Sequence, residues 1–291
     1  MYELVQVSAR DYYIESPAKI GLVRLTNHDV CLIDSGSDKD AGRKVRQHLD
    51  ANGWRLTAIY NTHSNADHIG GNKYLQSQTG CRIYTPGIEG DFTRHPVLEP
   101  SFLYGGFPPK ELRHKFLLAQ ESEAEELTPE ALPEGFEMVS LPGHFFHMVG
   151  FRTPDDTLYL ADCLSSRETL DKYRIGFIYD VAAYLETLER VKGMTAKTFV
   201  PAHAAACGDI AALAQYNIGK VNEIVEDILT LCASPKSFEE ILQALFTQYG
   251  LTMNFEQYAL VGSTVRSYLT FLKESGRLQA EFIGNRLLFH T

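Results

Sequence analysis

Over residues 1–208, short apolar runs alternate with stretches in which apolar side chains recur at helical spacing. A helix is predicted over residues 38–51, because Ala41, Val45 and Leu49 recur every four positions and Gly53 can cap the end. Strands are predicted at residues 3–7, 20–25, 30–33, 56–60, 82–84, 136–141, 149–153, 158–161 and 198–201. Strands that alternate with helices in this way are typical of an α/β fold.

Residues 209–291 have a different, mainly helical pattern. A long helix is predicted from the apolar stripe within residues 218–229, and a later one through residues 260–272. Between them, Ser237 and Glu240 have the spacing of a capping box. The chain then closes on a predicted hairpin with Gly284-Asn285 as its turn. We therefore expect two domains, residues 1–208 and 209–291, with a winged-helix-like arrangement in the second.

The alternation breaks in residues 87–133, which we interpret as an insertion in the first domain. The segment contains Tyr104-Gly105-Gly106-Phe107-Pro108-Pro109, a stretch of mixed helical character and an acidic run. Irregular segments of this length inside a compact domain are usually functional or mobile. Two interpretations stay open: a surface insertion with a solvated acidic face, or a functional insertion in which the segment Tyr104–Pro109 forms the lip of a substrate pocket.

Composition and charge narrow the functions to consider. Hydrophobic residues make up 44% of the chain and charged residues 22%, and the net charge of -10 disfavours binding to nucleic acid or anionic membranes. From Asp209 onward nine acidic residues face six basic ones, so we expect no nucleic-acid partner for the helical part either. No apolar run approaches the roughly 18 residues of a membrane span. The five widely spaced cysteines predict reduced thiols, and the first residues show no signal-peptide pattern, so we expect a cytoplasmic protein.

The strongest chemical signal directly follows the predicted strand at residues 56–60. It is the segment Asn61-Thr62-His63-Ser64-Asn65-Ala66-Asp67-His68-Ile69-Gly70-Gly71. We expect a loop that leads into a short helix, with His63 and Asn65 pointing the same way and with Asp67 and His68 converging on them. Nitrogen and oxygen donors held this close together suit a borderline metal such as zinc or iron.

This segment resembles the metal motif of the metallo-β-lactamase superfamily, His-x-His-x-Asp-His, except that Asn65 stands at the second histidine. Three later segments match the superfamily in order, namely Leu141-Pro142-Gly143-His144, Leu160-Ala161-Asp162 and Val200-Pro201-Ala202-His203. Upstream, Leu32-Ile33-Asp34-Ser35-Gly36 matches a motif whose aspartate supports the metal loop. The resemblance spans residues 1–205 and implies a four-layer αββα sandwich.

Carried over onto this chain, the resemblance implies two neighbouring metal sites that share Asp162. The second site would be formed by Asp67, His68, Asp162 and His203. The first would be formed by His63, His144 and Asp162, and it would be weakened by Asn65, because an amide oxygen is a weaker ligand than imidazole for such metals. Three occupancies stay open: two ions, one ion in the second site, or one ion in the first. Zinc is expected, with iron and manganese as alternatives.

Two residues next to the predicted ligands need separate interpretation. In the superfamily, the motif that ends in His144 here usually continues with another histidine. This chain has Met148 at that position, and His147 comes one residue earlier. His147 is interpreted either as packing beside neighbouring phenylalanines or as a pocket residue that compensates for Asn65. Cys163 follows Asp162 on a strand, and because neighbouring strand residues face opposite ways we expect it to be buried behind the site.

The function implied by the resemblance is metal-assisted hydrolysis, closest in motif to the glyoxalase II-like thioester hydrolases. Asp67 would take the catalytic role by holding one ion and accepting a hydrogen bond from the attacking water. The expected partners are small molecules with an ester, thioester or lactone group, and a homodimer stays open. Two other classes remain: a mononuclear iron persulfide dioxygenase that uses His63, His144 and Asp162, and a non-catalytic metal-binding or regulatory protein.

Overall fold

The computed structural model describes residues 2–291 and contains two β-sheets packed face to face, each covered by helices on its outer side. Side chains from both sheets, including Val23, Tyr60, Phe151 and Tyr159, form one buried cluster between them. The α/β class and the four-layer αββα order expected from the sequence are confirmed.

The first sheet has seven strands, which lie side by side in chain order. They are β1 (Leu4–Gln6), β2 (Asp11–Ile14), β3 (Ile20–Arg24), β4 (Asp29–Ile33), β5 (Arg55–Tyr60), β6 (Arg82–Thr85) and β7 (Glu125–Glu126). Strands β1 to β4 form an antiparallel meander, whereas β4 to β7 are parallel. The sequence pattern misses β2, because this strand begins with a charged residue. Asp11 is nevertheless buried, and its carboxylate accepts a hydrogen bond of 2.7 Å from the hydroxyl of Thr153.

The second sheet has four strands, β8 (Glu137–Ser140), β9 (Val149–Arg152), β10 (Thr157–Ser165) and β11 (Thr198–His203). Strand β10 is central, antiparallel to β9 and parallel to β11. It is longer than predicted, because the register shifts around Ala161 let the strand continue to Ser165. Ala161 has a φ of 50°, a strained conformation for a residue with a Cβ, directly before the predicted bridging ligand Asp162.

Seven α-helices belong to the described part of the chain before residue 209. They are α1 (Lys39–Asn52), α2 (Ala66–Ile69), α3 (Asn72–Thr79), α4 (Glu89–Arg94), α5 (Leu98–Tyr104), α6 (Arg167–Tyr173) and α7 (Val181–Lys192). The predicted helix is confirmed in α1, where the Asp38 carboxylate accepts from two backbone N–H groups and Gly53 ends the helix in the left-handed conformation. The short helix of the metal loop is confirmed in α2. Helices α3, α6 and α7 were not predicted.

Helices α4 and α5 lie in the insertion, residues 87–133, which is packed against the rest of the protein. Leu103, Leu112 and Leu117 of this segment form a buried cluster with Ala259. Part of the acidic run forms β7, which pairs with β6 at the edge of the first sheet. The insertion therefore has a defined structure of short helices and an edge strand.

Residues after 208 form α8 (Ala211–Leu231), α9 (Phe238–Tyr249), α10 (Phe255–Glu274) and a hairpin of β12 (Gln279–Ile283) and β13 (Arg286–His290). The capping box of Ser237 and Glu240 is confirmed. The apolar faces of these helices share one buried cluster with the outer face of the second sheet, as shown by Leu160, Ile228 and Leu269. The winged-helix-like arrangement stays a prediction.

Two smaller expectations concern the thiols and the membrane. All five cysteines are free in the structure, and Cys163 is fully buried, as predicted. Among the helices of residues 2–291, none combines the length and the apolar character that crossing a membrane requires.

Candidate metal centre

The predicted metal ligands lie together at one edge of the two sheets. His63, Asp67 and His68 follow β5, His144 follows β8, Asp162 lies in β10 after the register shift, and His203 ends β11. Because β4, β5 and β6 are parallel, as are β10 and β11, their carboxyl ends meet at the same edge. The fold thus brings together residues as far apart in the chain as His63 and His203.

Two sets of donor atoms can be distinguished, and within each set the atoms lie within 4.8 Å of one another. One set consists of Asp67, His68, Asp162 and His203, and the other of His63, His144 and Asp162. In the second site, which contains His68 and His203, Asp162 oxygens lie 3.1 Å from His68 Nε2 and 3.0 Å from His203 Nε2. In the first site, Asp162 Oδ2 lies 3.6 Å from His144 Nε2. Asp162 therefore belongs to both sets.

The chemistry of these atoms fits a divalent metal ion. Within residues 2–291, His63 Nε2, His68 Nε2 and Asp162 Oδ1 are buried and have no hydrogen-bond partner. His68 Nε2 and Asp162 Oδ1 are close to each other, yet their geometry is not that of a hydrogen bond. Buried polar atoms without partners are costly, and imidazole nitrogens facing a carboxylate are the donors that zinc and iron take.

The opposite edges of the imidazoles are held by a network centred on Asp34. The Asp34 carboxylate accepts from Thr62 N and Thr62 Oγ1, and Asp34 Oδ2 lies 2.8 Å from His68 Nδ1. Thr62 Oγ1 in turn lies 2.9 Å from His63 Nδ1, and the carbonyl of Pro17 lies 2.9 Å from His203 Nδ1. Since Nδ1–H donates in each case, Nε2 is the nitrogen that faces the site and is left to bind a metal, as in metal-binding histidines.

The comparison with known proteins agrees with this geometry. A family model described as the metallo-beta-lactamase superfamily matches residues 14–203, the stretch that contains all six predicted ligands. The chain belongs to this superfamily. The resemblance stated from the motifs is therefore confirmed.

Among curated relatives, the chain is similar to proteins named hydroxyacylglutathione hydrolase. The one from Methylococcus capsulatus is 30% identical over 158 residues, which are 54% of this chain and 51% of that protein. The one from Rhodospirillum rubrum is 34% identical over 86 residues, which are 30% of this chain and 32% of that protein. The matches thus span about half the length of these relatives, or less.

Solved structures show the same fold over the whole chain. A beta-lactamase domain protein from Burkholderia ambifaria superposes with a TM-score of 0.76 at 17% identity, covering 99% of this chain and 93% of that one. A metallo-beta-lactamase family protein from Thermus thermophilus superposes with a TM-score of 0.71 at 16% identity, covering 99% and 97%. At such identities the likeness establishes the fold, including the C-terminal helices.

Asn65, the departure from the superfamily motif, is held by a residue that the sequence analysis missed. Its Nδ2 donates to Glu99 Oε1 at 2.8 Å, and its Oδ1 lies 3.2 Å from His144 Nε2. Glu99 belongs to α5 and also accepts from Ala66 N at 3.1 Å. Burial raises the pKa of Glu99, and these two hydrogen bonds oppose the rise.

A second buried glutamate from the insertion also binds the metal loop. Glu89 in α4 accepts from Ser64 N and Ser64 Oγ through Oε2, and from His147 N through Oε1. It therefore links the metal loop that contains His63 to the loop that follows His144. Burial raises its pKa to about 7. Nothing in the sequence pattern marked these two glutamates, because acidic residues in an insertion are usually solvent-exposed.

Without a metal ion, the carboxylates of the metal centre stabilise the protonated forms of two neighbouring imidazoles. Burial would lower the pKa of His203, but Asp162 and Asp67 raise it to about 10. Burial would likewise lower the pKa of His68, which these carboxylates and Asp34 hold well above its usual value. Burial and the neighbouring His68 lower the pKa of His63. An ion that binds here has to displace protons from two imidazoles, so binding in this superfamily member should weaken at low pH.

His147 and Tyr104, two further predicted site residues, lie outside both donor sets. His147 is exposed, and its ring packs so closely on Gly87 that a Cβ there would lie 2.1 Å from Nδ1. Tyr104 is also exposed and lines a groove of about 920 Å³ between α5 and α10. None of the donor residues lines that groove. The functional roles of both residues stay predictions.

A small cavity of about 50 Å³ borders the metal centre on the side of the C-terminal helices. Its wall includes the donors His144 and Asp162. The remaining wall mixes apolar side chains, such as Ile224 of α8, with the basic side chains of Arg174 and Lys220. The C-terminal helices of this superfamily member therefore help to enclose the space next to its predicted ligands.

Proposed function

We propose that this protein is a metal-dependent hydrolase that uses an activated water on an ester, thioester or lactone. The observation that carries the proposal is the meeting of two donor sets at Asp162, with their buried nitrogen and oxygen atoms facing one another. Membership of the superfamily and the relatives named hydroxyacylglutathione hydrolase support the same activity.

The metal would be held by Asp67, His68, Asp162 and His203 in the second site and by His63, His144 and Asp162 in the first. We propose zinc in both, with iron or manganese as alternatives. A divalent ion supplies two things to such a reaction: it lowers the pKa of a water to near 7, and it polarises the acyl carbonyl.

Asp67 is the residue that we assign to water orientation. Its side chain is 35% exposed, whereas that of Asp162 is 9% exposed, so Asp67 is the acid of this set that meets solvent. Burial would raise its pKa, but His68 and His203 lower it, so the carboxylate is ionised at neutral pH and can accept a hydrogen bond. Asp162, enclosed between the imidazoles, has the role of keeping the two sites together.

The substrate is proposed to be a small acyl compound. The cavity beside His144 and Asp162 has room for a small group, and its wall combines apolar side chains such as Ile224 with the basic side chains of Arg174 and Lys220. The hydrolases among the relatives are named for a thioester of glutathione, which supports a thiol as the leaving group.

The test is hydrolysis of a panel of thioesters, lactones and phosphodiesters by the metal-loaded protein. We expect turnover of at least one acyl substrate, and we expect D67A and H68A to lose it together with bound metal. His28 is exposed in the turn between β3 and β4 and belongs to neither donor set, so H28A is the matched control and should keep both activity and metal. Full activity of D67A or H68A would contradict the assignment.

A second candidate function rests on the set of His63, His144 and Asp162. Two imidazoles and one carboxylate are the ligands of mononuclear iron enzymes that use dioxygen. A persulfide dioxygenase on this trio would contain one iron per chain and would take up dioxygen with a persulfide substrate. A metal-loaded protein that turns over neither class of substrate would favour a non-catalytic metal-binding role.

A further inference from the structure

Glu99 reaches the metal loop from α5 and meets it with both carboxylate oxygens. Oε1 accepts from Asn65 Nδ2 at 2.8 Å, and Oε2 accepts from the backbone N–H of Ala66 at 3.1 Å. The side chain is only 4% exposed, so water does not compete for these bonds. Two donors, Asn65 Nδ2 and Ala66 N, thus face the two side-chain oxygens of Glu99, and each oxygen accepts one hydrogen bond.

An asparagine amide has a donor end and an acceptor end, and the position of one decides the position of the other. Because Nδ2 is taken by Glu99, Oδ1 must face the opposite way. It lies 3.2 Å from His144 Nε2, beside the set of His63, His144 and Asp162. Released from Glu99, the amide could equally turn its NH₂ toward the set, and an NH₂ group cannot bind a metal.

We propose that Asn65 Oδ1 is the fourth donor of the first metal site and that Glu99 is the positioning residue that aims it there. With Asn65 included, each site contains two imidazoles and two oxygen donors, and one of the two oxygen donors comes from Asp162, which belongs to both sets. The inference rests on the proposed function, since it requires that ions occupy both sets. The proposal also assigns a function to the insertion, because Glu99 of α5 positions a donor of the first site.

The decisive variant is E99Q, because glutamine has one acceptor where glutamate has two. The backbone N–H of Ala66 cannot turn, so the glutamine oxygen should stay there and its NH₂ should face Asn65. Asn65 would then turn its oxygen to Gln and its NH₂ into the first site. We expect two bound ions per chain in the wild type and one in E99Q, measured by elemental mass spectrometry after passage over a chelator-free desalting column.

Two further variants separate positioning from general damage to the fold. N65A removes the oxygen donor without changing Glu99 and should also retain one ion. The double variant N65D/E99Q should recover two, because one Asp oxygen accepts from the glutamine NH₂ and the other faces the site. This rescue would not occur if E99Q had only loosened the loop.

The outcomes separate this inference from the proposed function. Two ions in E99Q or in N65A would overturn the inference and leave a dinuclear hydrolase intact. One ion in the wild type at metal excess would overturn the inference, with the second site remaining. No bound ion in the wild type would overturn both.

Discussion

Asp34 and His68 are joined by a contact of 2.8 Å between Oδ2 of the carboxylate and Nδ1 of the imidazole. The same carboxylate also accepts from Thr62, whose hydroxyl lies next to His63 Nδ1. One acid at the end of β4 thus orients an imidazole of each donor set. Asp34 has a φ of 62°, an unfavourable conformation that these hydrogen bonds keep in place.

Replacing this acid by its amide should weaken metal binding without removing a ligand. In D34N an NH₂ group replaces one acceptor, so it must face a donor, either at Thr62 N or at Thr62 Oγ1 and His68 Nδ1, and the support of the imidazoles weakens. We expect the metal affinity to fall by about 10- to 100-fold, the usual effect of such a change. The measurement is competition with a chelator of known affinity. Asp40 forms an exposed ion pair, so D40N is the matched control and should bind as the wild type does.

The two sets should lose their ions independently, apart from the shared acid. We expect H203A to lose the ion of its own set, H63A to lose the other ion, and D162A to lose both, because only Asp162 belongs to both sets. Elemental analysis of the three proteins measures this. Loss of both ions in H63A or in H203A alone would show that the sites are coupled and not separate.

Restoring the superfamily motif should strengthen the first site. In N65H an imidazole replaces an amide oxygen, and Glu99 can accept from its other nitrogen as Asp34 does for His68. We expect the first ion to bind about tenfold more tightly, a change of roughly 1.4 kcal/mol. Chelator competition measures the change, and an unaltered affinity would mean that Asn65 does not limit the site.

Glu89 should make the stability of the metal-free protein depend on pH. Its pKa in the folded protein is about 7, above its ordinary value of 4.5, so the unfolded chain releases the proton first. The stabilisation is complete below pH 4.5 and is lost as the pH rises through 7, by about 3 kcal/mol at most. We expect E89Q to lack this fall, whatever its overall stability. The free energy of unfolding in urea, determined at pH 5 and pH 8, measures it. An equal change of this free energy between the two pH values in both proteins would contradict the role of the buried acid.

The C-terminal helices should unfold together with the second sheet. Ile228 in α8 is fully buried in the cluster that includes residues of β10. We expect I228A to cost about 2–5 kcal/mol and to shift a single unfolding transition of the whole chain. Calorimetry of wild type and variant measures this. Two separate transitions would show that residues 209–291 form an independent domain.

Much of the fold could be predicted because its signals are local. The helix α1 has its cap, its apolar spacing and its glycine within sixteen residues, Asp38 to Gly53, and the capping box of α9 lies within four, Ser237 to Glu240. Strand β2 was missed because its first residue is a buried acid, which is favourable only through a partner 142 positions away, Thr153. Such a partner leaves no local pattern.

The same distinction holds for the metal centre. The ligands lie in motifs whose spacing and order are recognisable along the chain. The sequence alone therefore identified them, and the fold brings them together. Glu89 and Glu99 instead act through the shape of the insertion, which presents them to Ser64 and Asn65. The orientation of the Asn65 amide depends on that presentation. No spacing rule within the metal loop could have predicted it.

The identity and number of metal ions in protein purified without chelator or added metal test the dinuclear site most directly. Elemental mass spectrometry measures both at once. We predict two divalent ions per chain, zinc foremost, with both lost in D162A. A single iron per chain would contradict the dinuclear hydrolase in favour of the mononuclear alternative, and protein that binds no metal even when metal is supplied would contradict both functions.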